Sequence, residues 1–95
     1  MGGVISTVSD NIGQHVEPED FEILSQIRNV QVIASGRGVR IRRRLQRKHG
    51  GSRWRKMKGT ALIREYNGDT YEAEIHWFEA HGVGRHDWKI KKRLE

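Results

Sequence analysis

Met57–Phe78 reads MKGTALIREYNGDTYEAEIHWF. Asn67–Gly68 sits at its centre. Asn-Gly is the strongest short hairpin signal, because both residues tolerate the left-handed backbone of a tight turn. The flanking runs are strand-like, so Met57 to Tyr66 predicts one strand and Thr70 to Phe78 its return. In the return strand Tyr71, Ala73, Ile75 and Trp77 alternate with Glu72, Glu74, His76 and Phe78. Successive strand residues point to opposite faces, so the first set should face a core and the second the other side. Ala80 to His86, with Gly82 and Gly84, predicts a loop. Trp88 to Leu94 predicts a third strand, with Trp88, Ile90 and Leu94 inward and Lys89, Lys91 and Arg93 outward.

Upstream the pattern changes. Glu17–Pro18–Glu19–Asp20 places a proline and acids where a first helical turn accepts them. Phe21, Leu24 and Ile27 recur at helical spacing, which predicts a helix from about Pro18 to near Asn29. Val30–Ala34 is apolar and β-branched and predicts a strand or extended link. After a break at Ser35–Gly38, Ile41 and Leu45 stand four apart, so a helix from Val39 to His49 would bury both and end at Gly50–Gly51. A strand beginning at Val39 is the competing reading. Residues 1–16 are small and polar and read as a flexible leader; residues 17–95 form a single small domain. The expected class is α+β: one or two N-terminal helices packed on a three- to four-stranded antiparallel meander.

Charge is distributed unevenly. Arg37–Lys58 holds eleven Lys/Arg and no Asp or Glu, so one segment carries +11 while the rest of a +6 chain sums to −5. Such a block is most simply a polyanion-binding surface. The chain has no cysteine, which excludes disulfides and thiolate metal sites. No apolar run is long enough to span a membrane, and no signal-peptide pattern follows Met1. Gly2 and Ser6 loosely fit an acylation pattern, for which a linker or processing remnant is the simpler reading. His76, His81 and His86 are five apart, which is not the spacing that puts two imidazoles on one helix face, and no metal or cofactor is expected.

The even-numbered face of the return strand could carry chemistry. Glu74 and His76 share that face, and Lys89 and Lys91 share the outward face of the next strand. A carboxylate, an imidazole and two ammonium groups on one patch are what metal-free RNA cleavage requires: proton transfer groups and cations for the charge at phosphorus. His81 and Arg85 flank the Gly82–Gly84 loop, whose backbone could approach a phosphate. The candidate catalytic set is His76, His81, Glu74, Arg85, Lys89 and Lys91. The plainer reading is a solvated polar sheet face and a connecting loop. Arg42, Arg43, Arg44, Arg47, Lys48, Arg53, Trp54, Arg55, Lys56 and Lys58 are the candidate nucleic-acid-binding set. Trp54 could stack on a base between the cations, or anchor the helix-to-sheet junction as a core residue.

The order of a basic helix, RWRKMKG (Arg53–Gly59), an NG turn, AEIHWFEAHGVGR (Ala73–Arg85) and a closing KIK strand resembles the C-terminal tRNase domains of bacterial contact-dependent and polymorphic toxins. These belong to a wider group with the barnase/EndoU/colicin/RelE-type fold. The resemblance covers residues from about 30 to 95. It implies a metal-independent ribonuclease directed at tRNA, with N-terminal helices before an antiparallel sheet. It also implies an acidic immunity or antitoxin partner, and a cytoplasmic site of action reached from outside as part of a larger secreted toxin. In such domains the His76 strand and the His81–Arg85 loop fall where acid/base and phosphate groups stand, with Lys56 and Lys58 adding charge. The alternative is a non-catalytic basic nucleic-acid-binding module. A weaker third reading is a protein-interaction domain whose arginines meet an acidic chain.

Overall fold

The computed structural model describes residues 21–94. The expected leader, the acylation pattern and the predicted helix start at Pro18 lie outside them. Five strands run in chain order: β1 (Phe21–Ile23), β2 (Arg28–Ser35), β3 (Arg55–Glu65), β4 (Thr70–Ala80) and β5 (Gly84–Arg93). Among the described residues a single α-helix, α1 (Arg42–His49), follows a 3-10 turn at Gly36–Gly38 and precedes β3. All pairings are antiparallel, and the sheet curls into a half-barrel.

This corrects the expected class. The described residues are mostly antiparallel sheet with one helix, instead of N-terminal helices laid on a meander. The predicted helix over residues 18–29 is, from Phe21 onward, strand β1, a short link and the start of β2. β1 and β2 lie end to end along one edge of β3, pairing Phe21 with Glu65 and Ser35 with Arg55. The link between them is bonded to the same edge: Leu24 N–H donates to Leu62 O at 2.8 Å, and Leu62 N–H donates to Ser25 Oγ at 2.9 Å. The physical reason is the hydrogen-bonding demand of β3. A helix over 21–29 would satisfy its own backbone and leave that edge bare, and this pairing outweighs the weak local preference of Phe21, Leu24 and Ile27.

The central hairpin follows the sequence closely. Gly68 N–H donates to Glu65 O at 2.8 Å, and Gly68 adopts φ 99°, which glycine reaches without strain. The register pairs Ala61 with Ala73, Ile63 with Tyr71 and Met57 with Trp77. Odd-numbered residues of β3 and β4 therefore share a face. Met57, Ala61, Ile63, Ala73, Ile75 and Trp77 are buried there, and Phe21, Ile23, Ile27, Tyr71, Trp88 and Ile90 pack against them. Trp77 and Trp88 stack with centroids 5.0 Å apart.

The opposite face carries a second, smaller cluster at the Ala80 end, where Val39, Leu45, Trp54 and Ala80 are buried with Ala34, Ile41, Phe78 and Val83 against them. Phe78 and Ala80 have the same strand parity as His76 and Glu74. The helix thus docks on the face that also bears those two side chains. The expected loop 80–86 is shorter than predicted. Ala80 already pairs with Gly84, so only His81–Val83 form the turn and Arg85 and His86 belong to β5.

Candidate nucleic-acid interface

α1 has the sequence RRRLQRKH, with five Lys/Arg in eight residues. It has no side-chain N-cap and no acid in its first turn. Arg42, Arg43 and Arg44 occupy the end where the helix dipole disfavours cations, while Arg47 and Lys48 sit at the end that favours them. Two turns are too few to be stable alone in water. Leu45, 1% exposed, holds α1 to the sheet, and Gly50 N–H closes it by donating to Gln46 O at 2.8 Å. Arg43, Arg44, Arg47 and Lys48 are exposed, and Arg42 is half-buried.

The sheet registers set two rows of side chains beyond the helix on the same face. Gln31, Lys58, His76 and Lys89 lie opposite one another across β2, β3, β4 and β5. Arg28, Thr60, Glu74 and Lys92 form the next row. His76 Nε2 donates to Glu74 Oε2 at 2.8 Å. That bond, with lesser help from the charges of Lys58, His76 and Lys92 and against the effect of burial, holds the Glu74 carboxyl below the usual carboxylate range. Glu74 is therefore an ionised acceptor inside a cationic surface. The His76 side chain is 12% exposed, and its Nδ1 has no hydrogen-bond partner among the described residues.

The remaining predicted residues divide between places. Lys89 shares the His76 face, opposite that residue. Lys91 does not take the expected position, because a register shift after Ile90 puts Lys92 opposite Glu74. Arg85 pairs with Glu79 on the other face, its Nε 3.5 Å from Glu79 Oε1 and its guanidinium over the Trp77 ring at 5.4 Å. His81 is exposed at the β4–β5 turn, five residues from His76, or about 17 Å at ~3.4 Å per strand residue. His76, His81 and Arg85 therefore do not converge on one phosphate-sized space. Arg55 is bound to Glu79 at 2.8 Å. Lys56 lies over the Phe78 ring at 5.8 Å, and Arg53 is exposed. Trp54 is 1% exposed, with Nε1 donating to Gly50 O at 3.2 Å, so it anchors the helix-to-sheet junction and presents no ring to a base.

Sequence reasoning overlooked several members. Arg28, Gln31, Thr60 and Lys92 complete the two rows. His49 stacks on His86 with centroids 3.8 Å apart, and His49 Nε2 lies 3.7 Å from Asp87 Oδ1. Nothing in the sequence links two histidines so far apart. Thr60 was within reach, because apolar odd positions on both strands of the hairpin force it beside Glu74, as they force Lys58, already a candidate, beside His76.

No family model, curated protein or solved structure matches this chain. Among the described residues no group of three or more His, Asp or Glu lies close enough to hold a metal ion, and no helix is long and apolar enough to cross a membrane.

Proposed function

We propose that this protein is a non-catalytic nucleic-acid-binding module that grips a sugar–phosphate backbone with α1 and the sheet face continuous with it. One observation carries the reading: the arginine helix docks on the same face as Lys58, Lys89 and Lys92, so its charge extends across the sheet as one surface. Arginine and lysine contacts to phosphates release condensed counterions, and this term is independent of sequence. Three cations at the first turn of α1 repel one another and the helix dipole, and a bound polyanion relieves both. The separation of His81 and Arg85 from His76 favours binding over cleavage.

The toxin-like resemblance makes tRNA the first probe, and an acidic immunity-type protein would compete for the same surface. Affinity for tRNA is measured in EDTA over a salt series. Each phosphate contact contributes roughly 0.7 to 0.9 to the slope of log K against log[salt]. Replacing Arg43, Arg44, Arg47 and Lys48 by Gln should therefore reduce the slope by about 3 to 4. An unchanged slope removes α1 from the interface. Cleavage of the tRNA that disappears in His76→Ala would replace the proposal with the ribonuclease reading.

A further inference from the structure

The backbone-binding surface contains a recess whose chemistry does not suit a phosphate. Register shifts in β2 between Arg28 and Gln31, leaving Asn29 and Val30 as a bulge. Asn29 is held at φ 56°, a left-handed conformation uncommon outside glycine. Bulges of this kind re-aim side chains and recur beside functional sites. Here the bulge borders a cavity of about 160 Å³ lined by Asn29, Gln31, Lys58, Gly59, Thr60 and Glu74. Pockets for drug-sized ligands begin at roughly 300 Å³, so this one has room for a single small planar group.

The lining restricts that group further. An ionised carboxylate only accepts hydrogen bonds and an ammonium only donates. Glu74 commits one oxygen to His76, which leaves Oε1 and further lone pairs for a ligand. A second anion would be repelled by it. The fitting partner carries adjacent donors for Glu74 next to an acceptor for Lys58. Cytosine and adenine each offer one amino group beside a ring-nitrogen acceptor, and uracil offers one N–H between two carbonyls. Guanine alone presents N1–H and N2–H₂ side by side with O6 next to them, all on its Watson–Crick edge. Unpaired bases expose that edge.

We propose that the recess binds an unpaired guanine, with Glu74 accepting from N1–H and N2–H₂, Lys58 donating to O6, and Gln31 and Thr60 bordering the ring. This rests on the backbone-binding reading. The Phe78 position beneath α1 is four residues from Glu74, about 14 Å at ~3.4 Å per residue, so one strand of nucleic acid can touch both.

The test uses labelled single-stranded RNAs of roughly ten nucleotides. They are adenine-rich and differ only in one central base: guanine, inosine or adenine. Anisotropy is read at fixed salt. A good bidentate base contact discriminates by about tenfold or more. The wild-type protein should bind the guanine strand at least about tenfold more tightly than the adenine strand, with inosine between because it lacks the N2 amine. Glu74→Gln should bring the guanine-to-adenine ratio close to one. Equal affinity of the wild type for all three strands overturns the guanine site and leaves backbone binding standing. A ratio unchanged in Glu74→Gln overturns it equally. Failure to bind any strand at low salt overturns the backbone reading as well. The inosine comparison needs no variant, so a folding defect in Glu74→Gln cannot mask the answer.

Discussion

Gly59→Ala tests the placement of the N-terminal strands directly. Gly59 lies on β3 facing the main core, and a Cβ there would stand 2.5 Å from Ile27 Cγ2, 3.1 Å from the Arg28 carbonyl oxygen and 3.3 Å from Trp77 Cη2. Carbon contacts are optimal near 3.5–4.0 Å, so the methyl overlaps Ile27 by about 1 Å or more. Two of its neighbours are a backbone carbonyl and a buried indole that cannot easily give. Overpacking of this kind costs about 1–3 kcal/mol. Against it, replacing a strand glycine by alanine recovers about 0.5–1 kcal/mol of backbone entropy. The net expectation is a loss of about 1–2 kcal/mol, or ~4–16 °C in Tm for a domain of this size. Urea melts should show a lower midpoint with an unchanged slope. Ile27→Ala should partly relieve the overlap, so the double variant should be about 1 kcal/mol more stable than the two single losses predict. If Gly59→Ala is neutral or stabilising, Ile27 does not cover Gly59, and the pairing of β2 with β3 is wrong.

Two further outcomes follow from the helix and the carboxylate. Leu45→Ala removes the buried side chain that docks α1 and should cost about 2–5 kcal/mol, with helical circular dichroism lost while the Trp77–Trp88 signal from the main core persists into higher denaturant. Coincident loss of both signals would show that the two clusters unfold as one. The Glu74 carboxyl is held lower in the folded state than in the unfolded chain, so it stabilises above the ordinary carboxylate range, and this stabilisation is lost as pH falls through the lowered value. Stability of the wild type should therefore fall more steeply on acidification than that of Glu74→Gln. Parallel curves would mean that the His76–Glu74 bond contributes nothing.

The hairpin was legible because its signals agree. The turn dipeptide, the alternation of Ala73, Ile75 and Trp77, and the matching apolar positions on β3 all specify one register. The basic helix was legible for the same reason, with Ile41 and Leu45 spaced for one face and glycine at its end. Residues 21–29 were misread because three apolar residues at helical spacing also serve a short strand and its link. The choice was made by the unpaired edge of β3, which lies more than thirty positions away in the chain. Lys91 was misplaced because a bulge shifts the facing of everything beyond it, and no residue type announces this one.

The amino-acid sequence alone determined the charge block, the central hairpin and the side of β4 on which Glu74 and His76 stand, since each depends on neighbours a few residues apart. Only the tertiary structure decided that the arginine helix docks on that side, that Arg85 leaves it and that Lys92 joins it. Those outcomes depend on strand pairing and register shifts between distant segments, where a displacement of one residue turns a side chain to the opposite face.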